Sequence, residues 1–324
     1  MDQHFIAWWN LENLFDVEGT LHPDRPKWLA STLANELKDW DQAVLDRKIA
    51  QLASVIMQMN GGAGPDLLGV CEVENKRVLL QLVTALGGLG RNYQVIHHPS
   101  NDGRGIDVAF VYDADKYGWD GFIYDLAVMK RSATRDLVQA GLTTSKGTEI
   151  ILIGNHWPSR SGGEYKSAPY RMMVGETLSY WLQRIREIKE NNDVAIFVMG
   201  DFNDEPHDRS LTDYALSTMS RTKVVYGRNP YLYNLMWPLL GQRRASYVYG
   251  SEPLMMDQFL VSKGIAKRTG LFALDESKIA IEVYAGMVKG RYDTPVRFGR
   301  PSSGYNPGGF SDHLPISMVL GEKG

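Results

Sequence analysis

The chain has 324 residues, 44% hydrophobic and 23% charged, with one cysteine and a formal net charge of −3. Length and composition suit a globular protein with a sizeable core, while Cys71 alone excludes a disulfide framework and leaves no basis for a cysteine-rich zinc site. No apolar run approaches the ~18 residues that span a bilayer, and residues 1–10 lack the basic start and apolar core of a secretion signal, so a cytoplasmic protein without stable membrane association is expected.

Residues 4–9 read as an opening strand. Residues 42–59 carry Val44, Leu45, Ile49, Leu52, Ala53 and Ile56 at the spacing of an amphipathic helix. A Gly-Gly-Ala-Gly-Pro break then precedes a buried strand at 66–72 and a second helix at 76–86. Strands are expected at 93–97, 106–112, 122–129, 137–143 and 149–156. The longest helical pattern, 168–189, leads into a strong strand at 194–200, and further strands follow at 246–249, 256–261 and 314–320. Hairpin-like and crossover connections alternate, which predicts mixed sheets covered by helices rather than a doubly wound parallel sheet. No composition break divides residues 1–324, so one domain is expected.

Charge is unevenly spread: residues 221–324 sum to +6 and residues 1–220 to −9. Residues 221–251 contain no acidic residue, and Arg221, Lys223, Arg228, Arg243 and Arg244 alternate with Tyr226, Tyr231, Tyr233, Trp237, Tyr247 and Tyr249. Such a tract suits a polyanion that also presents flat rings, and equally suits an ordinary packed region with aromatic core residues.

Polar residues gather at strand ends. The strand at 194–200 delivers Asp201 and Asn203, which in extended backbone would face the same way, and Gly200 permits close approach just before them. The strand at 66–72 ends in Glu72, that at 149–156 in His156, and that at 256–261 begins with Asp257. Ser311-Asp312-His313 precedes the last strand. Carboxylates with a carboxamide and few histidines favour a hard, oxygen-preferring cation such as Mg²⁺. Histidines beside it can move protons or meet charge on a phosphoryl group.

At these residues the chain resembles the endonuclease/exonuclease/phosphatase superfamily, which includes deoxyribonuclease I, exonuclease III, sphingomyelinases and inositol polyphosphate 5-phosphatases. The matching segments, in order, are Trp9-Asn10-Leu11-Glu12-Asn13, Gly69-Val-Cys-Glu72-Val-Glu-Asn75, Gly105-Ile-Asp-Val-Ala-Phe110, Asn155-His156, Gly200-Asp201-Phe-Asn203 and Ser311-Asp312-His313-Leu-Pro315. The resemblance implies an α/β fold, a four-layer sandwich of two packed mixed β-sheets flanked by helices, as in deoxyribonuclease I.

It also implies roles. Glu72 matches the main metal-binding glutamate, Asn10 the asparagine joining phosphate and metal site, and Asp312 a contributor to the metal site. Glu12, at a position that varies among branches, would be a second metal ligand. Asp201 matches the residue that positions or deprotonates the attacking water, Asn203 its partner on the phosphate, and His156 a donor to the phosphate or leaving group. His313 matches the terminal histidine, oriented by Asp257. The implied cofactor is Mg²⁺, with Mn²⁺ as a substitute, and in-line attack on nucleic acid would leave 5′-phosphate and 3′-hydroxyl ends.

Arg104, Arg160 and Arg171 are candidate phosphate contacts, because guanidinium groups grip phosphate oxygens in pairs. Their alternative is surface solvation, and for Arg104 a strand-entering turn. Departures narrow the branch: the Trp-Cys-Asp-Arg signature of inositol 5-phosphatases is absent around Asp257, and the tryptophan that abasic-site endonucleases place before it is replaced by Met255 and Met256. The chain looks most like bacterial nuclease-like members. A DNA or RNA nuclease is therefore expected, with a phosphatase or phospholipid phosphodiesterase acting on inositol phosphates, phosphoinositides or sphingomyelin as the alternative.

Overall fold

Strands that are apolar along their whole length need cover on both faces, and this requirement organises the molecule. In the computed structural model, which describes residues 1–20, 25, 27–128, 134–242 and 244–324, the strands run in chain order from β1 (Asp2–Leu14) through β2 (Leu67–Val73), β3 (Tyr93–His97), β4 (Asp107–Asp113) and β5 (Tyr117–Leu126). Next come β6 (Leu137–Thr144), β7 (Glu149–His156), β8 (Ile196–Asp201), β9 (Ser217–Thr218), β10 (Leu232–Asn234), β11 (Tyr247–Tyr249) and β12 (Glu252–Leu254). The last are β13 (Asp257–Val261), β14 (Phe272–Leu274), β15 (Ala280–Ile281), β16 (Val288–Lys289), β17 (Thr294–Pro295) and β18 (Ile316–Glu322). The main helices are α1 (Lys27–Leu33), α2 (Gln42–Ile56), α3 (Lys76–Ala85) and α4 (Glu164–Ile188).

One sheet has the order β14-β18-β1-β2-β4-β3, with β15 also on β18; the other runs β5-β6-β7-β8-β13-β10-β9. Each mixes a parallel pair, β1 with β2 and β7 with β8, with antiparallel neighbours. β2, β8 and β13 are buried throughout, whereas the edge strand β5 is largely exposed. Their facing surfaces share one core that includes Trp8, Phe110, Phe197, Met199 and Phe259, and α2 and α3 add Leu45, Ile49, Leu52, Val78 and Leu82 to it. On the far side, α4 seats Val174, Leu178, Leu182 and Ile185 against Ile151, Ile153, Ile196 and Val198. The expected four-layer sandwich is thus formed.

Local chemistry sets the helix starts: Asp41 accepts from Val44 N–H at 2.9 Å to cap α2, and Asn75 from Val78 N–H at 3.0 Å to cap α3. Three expectations shift. β1 continues to Leu14 through an irregular register after Asn10, with Glu12 and Asn13 in left-handed backbone. β5 starts at Tyr117, bulges between Trp119 and Ile123 around the positive-φ Gly121, and stops at Leu126; Met129 lies outside the described residues. α4 opens earlier, at Glu164, and contains Pro169.

The basic and aromatic tract is not one surface. Arg221 donates to Ala266 O at 2.6 Å, past the end of β13 remote from Asp257, Tyr233 is buried in β10, and Tyr247 reaches the opposite end beside His313. Arg243 lies outside the described residues.

Candidate active site

Strand direction brings the polar positions together. β1 and β2 end on one side of the sandwich with Asn10 and Glu72; β7 and β8 end there with His156 and Asp201; the antiparallel β13 and β18 begin there, after Met256 and His313. His156, Asp201 and Asp257 lie in register on three adjacent strands. At Gly200 a Cβ would stand 2.5 Å from Asn155 Cβ and 2.6 Å from Asn155 O, so only glycine lets β8 lie this close to β7.

Asp201 is the hub. Its Oδ2 accepts from Asn10 Nδ2 at 3.1 Å across the two sheets, and its Oδ1 accepts from Asn203 N–H at 2.9 Å. The same Oδ2 lies 3.7 Å from His156 Nε2 and 3.8 Å from His313 Nε2. Asp257 has no solvent exposure: Trp8 Nε1 donates to Oδ1 at 2.9 Å, and Oδ2 takes His313 Nδ1 at 2.7 Å. Tyr247 stacks on the His313 ring at 4.6 Å, and Trp9 Nε1 donates to His313 O. His313 is thereby fixed on three sides.

The two histidines are driven in opposite directions. Burial, with Arg135, Arg104 and His313 nearby, holds His156 well below its ordinary value and hence neutral; its Nδ1 is buried without a hydrogen-bond partner. Burial also opposes charge on His313, but Asp257 and Asp201 outweigh it and raise the ring well above 6.5. Asp201 is raised to about 7 by burial, against the pull of His313 and with the repulsion of Asp257.

Glu72 sits at φ 60 in a bulge of β2, and its Oε2 accepts from Asn13 N–H at 3.0 Å. Its Oε1 faces Arg104 Nη1 at 3.4 Å and His156 Nε2 at 3.8 Å. Asp312 has a side chain 27% exposed, yet desolvation of its inward side, followed by Glu12 and Glu72, raises it to about 6. Carboxylates that repel one another in this way suit a divalent cation, which Glu72, Asp312 and Asn10 would hold through oxygen, Asn10 through the Oδ1 that also accepts Glu12 N–H at 3.0 Å. Asp201, Asp257 and His313 also converge within 4.8 Å; Asp257 is engaged there by Trp8 and His313, and His313 Nε2 stands 3.8 Å from Asp201.

Several expected details differ. The backbone after β8 is not extended: Asn203 has φ 49, and its Nδ2 donates to Trp157 O at 3.0 Å. Left-handed backbone at Glu12, Asn13, Glu72 and Asn203 concentrates strain around this one site. Both oxygens of Glu12 are engaged, Oε1 by Arg297 Nε at 2.8 Å and Oε2 by Phe298 N–H at 2.9 Å. Arg171 is enclosed, paired with Asp204 at 2.7 Å and bonded to Ser167 and Pro158 O. Arg160 grips Asp204 and Asp208 and donates to Asn203 O. Arg104 stays 39% exposed in a turn held by Asp102, which accepts from Arg104 N–H and is pinned by Arg135.

Lys48, Arg135 and Arg297 were not among the candidates. Lys48 lies on the apolar stripe of α2 between Val44 and Leu52, a detectable anomaly. Its Nζ donates to Phe310 O at 2.7 Å, and burial lowers it to about 8 against Glu12, Asp312 and Glu72. Nothing local to Arg135 or Arg297 marks them.

This constellation of strand-end carboxylates, carboxamides and two histidines coincides with a match to the family model described as the endonuclease/exonuclease/phosphatase family, over residues 5–322. The chain belongs to that family. Its members are hydrolases acting on phosphoesters and depend on a divalent metal. Among solved structures, TDP2 from D. rerio in complex with a single-strand DNA product is 17% identical with TM-score 0.58, covering 99% of this chain and 100% of that one. A family member from Bacteroides thetaiotaomicron is 14% identical with TM-score 0.56, covering 98% and 97%. A mannosyl-6-phosphatase from the same organism is 14% identical with TM-score 0.53, covering 98% and 99%. A search of curated protein sequences finds no match. Among the described residues, no helix is long and apolar enough to cross a membrane.

Proposed function

We propose that this family member is a Mg²⁺-dependent phosphodiesterase acting on nucleic acid, a DNA or RNA nuclease leaving 5′-phosphate and 3′-hydroxyl ends. The observation that carries the reading is the relay Asp257–His313–Asp201 set beside the repelling carboxylates of Glu72 and Asp312. Glu72, Asp312 and Asn10 would hold the cation, Mg²⁺ or Mn²⁺ in its place, which would supply positive charge to a phosphoester whose negative charge grows during attack.

The remaining chemistry belongs to the chain. Asp201, raised to about 7, is matched to take a proton from water near neutrality. Asn10 fixes its Oδ2 and Asn203 N–H its Oδ1, so the carboxylate cannot swing away. His313, kept cationic by Asp257, faces negative charge that grows on the phosphoryl group. His156 is neutral, and its Nε2 faces Glu72 and Asp201, so the tautomer with the proton on Nε2 is favoured and donates toward phosphate or leaving group. Tyr247 and the partly exposed Arg104 supply a ring and charge beside His313 and Glu72, and the structural likeness to TDP2, solved with single-strand DNA, supports nucleic acid as substrate.

The test is a substrate panel of single- and double-stranded DNA, RNA, phosphoinositides, sphingomyelin and sugar phosphates, each with Mg²⁺, Mn²⁺ or EDTA. Metal-dependent cleavage of DNA or RNA is expected. Turnover confined to sugar phosphates or phospholipids would overturn the nuclease reading and leave the phosphoester chemistry in place.

A further inference from the structure

Of the arginines expected from sequence to contact phosphate, Arg160 and Arg171 are consumed by Asp204 and Asp208, and Arg104 stays partly exposed beside Glu72. A further arginine at the site is Arg297. It follows the hairpin of β16 and β17, in the stretch between β13 and β18, and its side chain is 59% exposed. Glu12, almost wholly buried, accepts from its Nε at 2.8 Å through one oxygen, which also lies 2.8 Å from Nη2 in an ion pair, and from the next residue's N–H, Phe298, through the other. One carboxylate therefore fixes the backbone and the guanidinium together. Arg297 Nη2 also stands 3.8 Å from Asp312, as Arg104 Nη1 stands 3.4 Å from Glu72. The two carboxylates among the candidate cation ligands are each approached by one partly exposed guanidinium, from loops that meet only in the fold.

We propose that Arg297 is a phosphate-binding residue of this site and that Glu12 serves as its positioning residue rather than as a second metal ligand. The inference rests on the phosphoester reading of the site. A guanidinium anchored along one edge keeps N–H groups for an anion, in the fork that suits two phosphate oxygens. A charge-assisted hydrogen bond of this kind contributes about 1.5–3 kcal/mol, or roughly ten- to a hundredfold in affinity.

The variants are Arg297→Ala, Arg297→Lys, Glu12→Gln and the double Glu12→Gln/Arg297→Ala, each checked for folding by circular dichroism. Bis(4-nitrophenyl) phosphate, which carries no base, is the kinetic probe, with Mg²⁺ present. For R297A, KM is expected to rise about tenfold or more with kcat within about threefold, and R297K to recover part of the loss. E12Q is expected to shift KM in the same direction, and the double variant to match R297A within about twofold, since Glu12 acts through Arg297. Calorimetric titration of Mg²⁺ without substrate is expected to give the same affinity for E12Q and wild type. An unchanged KM in R297A overturns the proposal; a loss of Mg²⁺ affinity in E12Q returns Glu12 to the metal. Inorganic phosphate titrated calorimetrically separates the two readings: if no ester is cleaved, the proposed function fails, while weaker phosphate binding by R297A than by wild type upholds the role of Arg297 and equal binding overturns it.

Discussion

Replacing Asp257 with Asn removes one charge and reverses one hydrogen bond while leaving the volume of a fully buried side chain almost unchanged. Trp8 Nε1 donates to Oδ1, so the carboxamide oxygen of the variant stays there and its NH₂ faces His313 Nδ1. The ring must then accept at Nδ1 and carry its proton on Nε2, and the cation loses the partner that raises it most. A buried charge-assisted hydrogen bond contributes about 1.5–3 kcal/mol, and about 1.4 kcal/mol is a factor of ten in rate. Electrostatics thus predict a ten- to hundredfold loss, since Asp201 and His313 both remain in the variant. The expected outcome for D257N is a kcat lower by about 10–10² with KM little changed, because Asp257 is sealed from substrate. The limb of the pH–rate profile that reports His313 should move to lower pH. Stability carries its own sign: a histidine raised on folding stabilises below its unfolded value near 6.5 and loses that contribution as pH rises through its folded value. The stability gap between wild type and D257N should therefore narrow as pH rises. A kcat within threefold of wild type, with an unshifted profile, would refute the relay.

Other perturbations follow from the same geometry. Glu72→Gln should abolish Mg²⁺-dependent turnover and the rise in melting temperature that Mg²⁺ confers on wild type, which at a hundredfold excess over Kd corresponds to about 2.7 kcal/mol; an unchanged thermal shift would place the cation elsewhere. Arg171→Ala should destabilise the fold by about 1.5–3 kcal/mol in urea unfolding by removing one of the two guanidiniums on Asp204, which keeps Arg160, whereas a phosphate contact would raise KM in a stably folded enzyme. Lys48 has a folded pKa of about 8 against 10.5, so the unfolded chain binds more protons between those values and the stability it contributes rises with pH there. Relative to Lys48→Met, wild type should gain on the order of 3 kcal/mol between pH 8 and 10.5, and equal slopes in the two proteins would show that Lys48 is not desolvated in solution.

Most of the sandwich was legible because each sheet strand is a short apolar run with a punctuated end. The pattern of 149–156 becomes β7 without adjustment, and that of 93–97 becomes β3. What failed was local extrapolation at those ends. Asp201 and Asn203 were expected to share a face, but a left-handed Asn203 turns its carboxamide to Trp157 O. A strand period says nothing about a residue that leaves the strand.

The sequence by itself determined which polar residues the fold gathers at one end of the sandwich. Glu72, His156, Asp201 and Asp257 lie at strand termini, Asn10 at the register break of β1 and Asp312-His313 just ahead of β18, and strand direction is enough to gather them. Only the tertiary structure decided how the arginines are used. Arg160 and Arg171 follow His156 in sequence but are claimed by Asp204 and Asp208. Arg297, 285 residues from Glu12, is fixed by that carboxylate at the edge of the site. The reason is physical: a strand end is set by neighbours in the chain, whereas a buried charge takes whichever opposite charge the completed fold places within about 3 Å, because leaving it unpaired costs several kcal/mol.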